Sequence, residues 1–364
     1  MAANTPEAVP GPAPALMPDE LDSRHLVRRL VALVVVVALV ALAVGSLPGL
    51  GTVRHRFAQA DLAAIGLIGL LKLASCLSNV VAFRYVFCPR MSWRFSGQLS
   101  LAEQATNVLV PTGGAGGLAL GAWALRQGGM STEHIGRRSV AFFVLTSVPN
   151  FAVAAVLGPV LLTGSFSGHI PVVLTLVLSA AAWSVAAVIA LLPRLLARIN
   201  PAKTGGGVGR RLRAAVVTLD NGIRDTGQLL RSGQWQAIIG AMGYLGFDIA
   251  ALIAAFAAVG GGLPLAPLIF AYVIGQLGGL IPLPAGIGGT DGGLIGAMVL
   301  YGSSLSQAAA AVLAYRLFQL GVPAVLGAIA FIRLRQTLSQ SSSPAAACAP
   351  LAEPLPIKTV RSTA

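Results

Sequence analysis

The stretch "PLPAGIGGTDGGLIGA", residues Pro282–Ala297, interrupts an apolar segment with two prolines, several glycines and one aspartate. Proline lacks a backbone N–H and glycine favours non-helical backbone, so a helix that enters this stretch is predicted to break within it. Backbone groups freed by a break are tolerated at membrane depth only where protein or a water-filled cavity satisfies them. The stretch therefore predicts a broken helix that lines a polar cavity.

Composition supports the membrane setting. The 364 residues are 55% hydrophobic and only 10% charged, with a mean hydropathy of +0.80, whereas soluble domains carry about 25% charged residues. Apolar windows such as Leu30–Leu47 and Ile170–Leu192 reach the roughly 18 residues that a membrane-crossing helix needs. The chain is predicted to be a multi-pass membrane protein.

The net charge of +13 comes from basic residues spread over short loops, so it predicts membrane topology and no nucleic-acid partner. Arg84, Arg90 and Arg94, together with Tyr85 and Trp93, are expected to anchor one helix at the cytoplasmic interface. The basic loop at 209–232 is expected to be either a helix lying on the inner leaflet or a plain connector.

The three cysteines, Cys76, Cys88 and Cys348, are odd in number and widely spaced. This pattern predicts neither a disulfide framework nor a metal site, and the four scattered histidines add no metal-binding pattern. No cofactor is expected.

Three regions are expected: a disordered N-terminal tail at 1–22, a polytopic membrane domain at 23–335 and a disordered C-terminal tail at 336–364. Both tails are rich in Pro and Ala and lack the pattern of a packed core. Six spans are predicted within the membrane domain, at Leu30–Leu47, Leu62–Ala82, Ser139–Leu162, Ile170–Leu192, Gln236–Ala258 and Ser306–Ile332.

Two further apolar stretches, Ser96–Arg126 and Leu265–Tyr301, are each split by glycine and proline. If each stretch returns to its own side of the membrane, 21 of the 25 Lys and Arg residues lie on the cytoplasmic side. This agrees with the excess of positive charge that short cytoplasmic loops carry. The predicted fold is an all-α integral membrane protein with six spanning helices plus two re-entrant helical hairpins in inverted repeats. Both termini are then cytoplasmic, and the broken helices meet near the midplane, which is typical of transporters.

The predicted substrate-binding site lies at the tips of the two hairpins. There, the amino terminus of each second half-helix offers free amides and a favourable dipole to an anion such as a lipid phosphate. The alternative is that small residues only allow tight helix packing. The tip residues are Gly113, Gly114, Gly116 and Gly117 in the first hairpin, and Pro284, Gly286, Gly288 and Gly289 in the second.

Ionisable residues in apolar surroundings are the other candidates, because each requires a partner. Asp291 is expected either to cap its half-helix, or to pair with Arg316 or accept a cationic head group or a proton. Lys72 and Asp248 are expected either to form a structural ion pair between the repeats or to gate the cavity. Glu103 is a further buried ionisable candidate, with a structural hydrogen bond as its alternative role.

The motif Pro282, Pro284, Gly286, Gly288, Gly289 and Asp291, followed by "SLSQAAAAVLAYRLFQLGVPAVLGAI", resembles the flippase-like membrane family. The transmembrane region of lysylphosphatidylglycerol synthase (multiple peptide resistance factor) belongs to that family. Its acidic position is usually Glu, where this chain has Asp291, and the first hairpin lacks the acidic residue often expected after its last glycine. Tyr315 and Arg316, in the second part of the motif, join the predicted substrate-binding residues.

Together these features predict a bacterial inner-membrane protein that binds an anionic lipid or a polyprenyl-phosphate-linked substrate and translocates it between leaflets. No catalytic constellation is found, so the chain is not expected to be an enzyme. The alternative is a non-transporting subunit or regulator of an envelope glycosyltransferase or lipid-modifying enzyme. Membrane lipids are the expected partners in both cases, with that enzyme added in the second.

Overall fold

The computed structural model describes residues 62–109, 115–163, 171–198, 220–228, 234–278 and 288–340, and the single positions 217, 231 and 348. The described part of the chain is helical and contains no strand. Its principal helices are α1 (Leu62–Phe87), α2 (Trp93–Leu109), α3 (Ala115–Gln127), α4 (Thr132–Leu162), α5 (Val172–Arg198), α6 (Trp235–Ala258), α7 (Leu265–Gly278), α8 (Gly289–Leu300) and α9 (Leu305–Gln340).

Four of these helices, α1, α4, α6 and α9, are long and apolar enough to cross a membrane. They contain the spans predicted at Leu62–Ala82, Ser139–Leu162, Gln236–Ala258 and Ser306–Ile332. Their outward faces carry exposed Leu70, Val156 and Ile239, as expected of helices that are surrounded by lipid. The chain is therefore a multi-pass helical membrane protein by length and composition.

Of the two remaining predicted spans, the structure describes one and not the other. Helix α5 covers most of the predicted span Ile170–Leu192, and its described apolar part is Val172–Val188. The predicted span Leu30–Leu47 and the N-terminal tail lie outside the described residues, as do the tip residues Gly113, Gly114, Pro284 and Gly286.

Four shorter helices form two antiparallel pairs, which we call hairpin 1 (α2 and α3) and hairpin 2 (α7 and α8). Their lengths of 17, 13, 14 and 12 residues correspond to about 18–26 Å, less than the roughly 30 Å hydrocarbon core. In hairpin 1, Asn107 contacts Gly117 and Glu103 contacts Gly121, so the two helices run in opposite directions.

Hairpin 2 is closed by contact between backbones. Gly278 lies against the carbonyl of Gly289, and Gly275 packs against Leu294 one turn further from the break. A Cβ atom at either glycine would overlap its neighbour, so α7 and α8 approach each other this closely only because side chains are absent. Each break predicted from glycine and proline thus lies between two packed half-helices.

Helices α1 and α6 form the most extensive contact of the core. Gly240 of α6 lies directly on the backbone of Ala82, where an added Cβ atom would overlap the Ala82 nitrogen. Helix α9 packs along α2, with Gly327 against the carbonyl of Leu101. Small residues at these crossings bring the helix axes close together, as is usual in membrane bundles.

The expectation of no disulfide is wrong, because Cys88 and Cys348 are bonded, with their Cα atoms 5.8 Å apart. Helix α9 continues to Gln340, beyond the predicted start of the C-terminal tail at 336. Its end packs Phe331 and Leu334 into the same apolar cluster as Cys88 and Cys348. A sequence separation of 260 residues gives no sign of this proximity. Cys76 is a buried free thiol.

The helical segment 220–228 belongs to the predicted basic loop, and ion pairs attach it to α4. The Asp225 carboxylate is buried, 2.6 Å from the Arg137 guanidinium and 4.0 Å from that of Arg138. Gly222 packs against Val140 of the same helix. The described part of this loop therefore docks on the protein, as a structured connector would.

The α1–α6 crossing gives a matched test. Gly240→Ala should lower the thermal stability of the detergent-solubilised protein by an amount equivalent to about 1–3 kcal/mol, because the new methyl group meets backbone. Gly246→Ala, on the same helix, is the control, since nothing lies within 4 Å of its added Cβ. Equal melting temperatures for the two variants would contradict the packing described here.

Candidate functional site

An ion pair joins the start of α8 to the middle of α9. The Arg316 Nε atom lies 2.6 Å from Asp291 Oδ1, and Arg316 Nη1 donates a hydrogen bond to Gln319 Oε1 at 2.7 Å. The other carboxylate oxygen of Asp291 accepts the Gly288 N–H at 3.1 Å. Two of the roles expected of Asp291, helix cap and partner of Arg316, are therefore both present in the same carboxylate.

The local backbone explains this arrangement. Gly288 has φ of 93°, a left-handed conformation that favours glycine, and the helix begins at the next residue. Asp291 then lies in the first turn, where the helix dipole and the free amides favour negative charge. On α9, Gln319 lies three residues after Arg316, which places both side chains on one face.

The pair is only partly shielded. Arg316 is 8% exposed, whereas the Asp291 side chain keeps 25% of its surface accessible. A guanidinium at the membrane interior requires an anion, and its planar fork fits a phosphate as well as a carboxylate. The site can therefore hold an external anion at Arg316 if that anion displaces Asp291.

A second polar cluster, which we call the Asp248 network, is closed to solvent. Lys72 Nζ lies 2.5 Å from Asp248 Oδ1, so the ion pair expected between these residues is present. The hydroxyls of Tyr272 and Tyr315 both donate to Asp248 Oδ2, each at 2.7 Å. The ammonium group also lies 6.0 Å from the Tyr244 ring centroid. Because three donors from different helices meet at one buried carboxylate, the network is suited to hold these helices together.

The network fixes the position of one predicted substrate-binding residue. Tyr315 is 1% exposed and bonded to Asp248, so it lies inside the protein, while its neighbour Arg316 reaches Asp291. The two consecutive residues therefore connect the Asp248 network to hairpin 2.

Hairpin 1 presents a different arrangement. Asn107 Oδ1 accepts the Gly117 N–H at 2.9 Å and so caps the start of α3. One turn earlier on α2, the Glu103 carboxylate lies against Gly121 and is buried. Among the described residues, none donates a hydrogen bond to it, so the structural hydrogen bond considered for Glu103 has no donor there. Gly116 and Gly117 lie in the first turn of α3.

Sequence reasoning missed Tyr272, Gln319 and Asn107. Helical spacing from Arg316 could have found Gln319, and Asn107 shortly before a Pro-Gly break could have been read as a cap. Tyr272 carries no such signal, because a tyrosine in an apolar helix is common. Within the described residues, no group of three or more His, Cys, Asp or Glu side chains is placed to hold a metal ion.

These helices and buried ion pairs define a multi-pass membrane protein with charged groups gathered inside its helical core. The sequence model of the family described as the lysylphosphatidylglycerol synthase TM region matches residues 29–327. The chain belongs to this family, as the motif around Asp291 indicated. A comparison with curated proteins finds no match.

Disruption of the Asp248 network should reveal its energetic role. Lys72→Met should destabilise the protein by roughly 3–5 kcal/mol, because it leaves a buried carboxylate without its cation. The double variant Lys72→Met/Asp248→Asn should recover part of that loss. The measurement is a double-mutant cycle of unfolding in mixed micelles, and additive effects of the two substitutions would contradict a direct pair.

Proposed function

We propose that this protein binds an anionic lipid or a polyprenyl-phosphate-linked substrate through its phosphate and moves it between the leaflets of the bacterial inner membrane. The observation that carries the proposal is the Arg316–Asp291 ion pair at the start of α8. It places a guanidinium, an exchangeable carboxylate and helix amides together, and this combination suits a phosphate. The chain also belongs to the family of the lysylphosphatidylglycerol synthase TM region, and this membership supports a lipid substrate.

The proposed topology has both hairpins re-entrant, each returning to the face from which it enters. The short helices support this arrangement, since none of the four reaches the length of the hydrocarbon core. The placement of Lys and Arg supports cytoplasmic termini and opposite entry faces.

The contact pattern supports two related halves. Hairpin 1 follows α1 and packs its first helix on α9, while hairpin 2 follows α6 and packs its first helix on α4. The two preceding helices, α1 and α6, pack on each other. Inverted repeats that rock about such a shared contact would alternately open the hairpin tips to either leaflet.

In the proposed mechanism, the phosphate replaces the Asp291 carboxylate at Arg316, and the amides at the start of α8 stabilise its remaining charge. Asp291 takes the guanidinium back when the lipid leaves, so the buried cation is never without an anion. The acyl or prenyl chains stay in the surrounding lipid. The cycle uses no catalytic residue, and we propose that the chain is not an enzyme.

Transport in proteoliposomes tests Arg316. Arg316→Ala should slow the transbilayer movement of a fluorescent anionic phospholipid by about tenfold or more, because a charge-assisted contact is lost. Arg316→Lys should be intermediate, since it keeps the charge without the planar fork. Arg335→Ala, an exposed arginine on the same helix, is the control. Unchanged movement in Arg316→Ala would refute the proposal.

Absence of lipid movement in the native protein, with stable co-purification of an envelope glycosyltransferase or lipid-modifying enzyme, would favour the alternative function, a non-transporting subunit.

Competition between Asp291 and the phosphate gives a second expectation. Asp291→Asn removes the internal anion, so the purified variant should retain more bound phospholipid or polyprenyl phosphate than the native protein. Native mass spectrometry of the two proteins measures this directly. Reduced lipid retention in Asp291→Asn would mean that the carboxylate does not compete for Arg316.

A further inference from the structure

Glu103 stands apart from the other buried or half-buried carboxylates in the described residues. Asp225 faces Arg137, Asp248 faces Lys72 and Asp291 faces Arg316, each within 2.6 Å. Glu103 is only 8% exposed, yet no described residue forms an ion pair or a hydrogen bond with its side chain. Its carboxyl group therefore requires a partner that is not another described side chain.

The carboxyl group of Glu103 fits against α3 because residue 121 is a glycine and has no side chain. A Cβ atom at Gly121 would overlap Glu103 Oε1, so the carboxyl group occupies the space that this glycine leaves open. One turn towards the break, Asn107 uses the matching space at Gly117 and bonds to the backbone there. The buried Glu103 and the exposed Asn107 thus form one polar stripe of α2 that faces α3.

The charged side chains on the helices that pack against α2 either bind other groups or lie at a different height along the helix axes from Glu103. Lys72 binds Asp248, Arg316 binds Asp291, and Arg84 donates to the Met91 carbonyl and lies over Trp93. On α9, Gly327 packs against Leu101 and Ala105, which flank Glu103. Gly327 therefore lies at the same height along the helix axes as Glu103. The remaining charged side chains on the packed helices are Arg126, Arg333 and Arg335.

The distances along the helices place those groups away from Glu103. Arg333 lies six residues beyond Gly327, about 9 Å along the axis, and Arg316 lies about 16 Å in the other direction. Arg126 lies five residues beyond Gly121 on α3, at the end of that helix. The neutral titratable groups on the packed helices are Cys76 and Tyr85 on α1 and Tyr315 on α9, of which Tyr315 is bonded to Asp248.

An ionised carboxyl group in such a place would lack both a cation and a hydrogen-bond donor among the described residues, and burial of charge under these conditions is strongly unfavourable. A proton is the cation that fits without any further space, because it converts the group to a neutral acid. We propose that Glu103 is a proton-binding site of hairpin 1, holding a proton while the hairpin is closed.

The site is specific to one half of the molecule. The position that corresponds to Glu103 in hairpin 2 is Gln276, a neutral amide, when the two are counted back from Pro111 and Pro284. At this position, therefore, only hairpin 1 carries a group that can exchange a proton. When water reaches the break, the carboxylic acid releases its proton to water, and it takes one up from water before the hairpin closes again. This coupling to lipid movement rests on the proposed function, whereas proton binding itself does not.

Carbodiimide labelling tests proton binding on the purified native protein. Dicyclohexylcarbodiimide reacts with protonated carboxyl groups in apolar surroundings and leaves a stable N-acylurea adduct. We expect an adduct at Glu103 at neutral pH and none at Asp248 or Asp291, which serve as internal controls in the same peptide digest. Glu103→Gln should lose the adduct. Labelling at Asp248 and Asp291 equal to that at Glu103, or no labelling of Glu103, would overturn the proposal.

Infrared spectroscopy provides a second measurement that does not depend on reagent access. The native protein should show the carbonyl stretch of a protonated carboxylic acid, and Glu103→Gln should lack that band. Protection of Glu103 from carbodiimide by sodium at constant pH would assign the site to a metal cation and would overturn proton binding.

Lipid movement is measured separately in proteoliposomes with and without a pH difference across the membrane. We expect the pH difference to change the rate in the native protein and to have no effect in Glu103→Gln. If Glu103 is labelled but no lipid moves, the proposed function fails and the proton site remains. If lipid moves at a rate that a pH difference does not change, the coupling is refuted.

Discussion

The carboxylate of Asp248 holds four helices of this membrane protein together. It accepts Lys72 from α1 and the hydroxyls of Tyr272 from α7 and Tyr315 from α9, while its own backbone belongs to α6. A lysine or aspartate alone at the centre of a membrane helix costs about 2.5–3.5 kcal/mol on the insertion scale. Each helix is therefore held in the one arrangement that supplies these partners, and Arg316, the residue after Tyr315, is positioned by the same joint.

Much of this arrangement can be read from the sequence, because the membrane makes each charge conspicuous. A chain with only 10% charged residues offers few partners for Lys72 or Arg316, so Asp248 and Asp291 are natural choices. The breaks in the helices are also visible, as glycine and proline within apolar segments. The hydroxyl donors to Asp248 are not, because tyrosine carries no charge that demands a partner. The bond between Cys88 and Cys348 was missed because it depends on the path of the chain after α9.

The two hairpins show why similar sequences need not pack alike. Both are rich in glycine, and sequence alone does not say what fills the space that each glycine leaves. In hairpin 2 the space is taken mainly by backbone, as at Gly278 and Gly289, and the two half-helices touch directly. In hairpin 1 it is taken by the polar side chains of Glu103 and Asn107. One hairpin is thus closed by backbone contact, and the other has polar side chains between its helices, of which Glu103 is buried.

The bond between Cys88 and Cys348 turns the intervening chain into a covalent ring that includes both hairpins and most of the helical core. A single cut in any connection within that ring leaves the two pieces joined until a reductant is added. Traction on the C-terminal end, such as a degrading motor would exert, passes through residue 348 to the corner between α1 and α2. Extraction from that end would therefore have to pull a doubled chain or wait for the bond to be reduced.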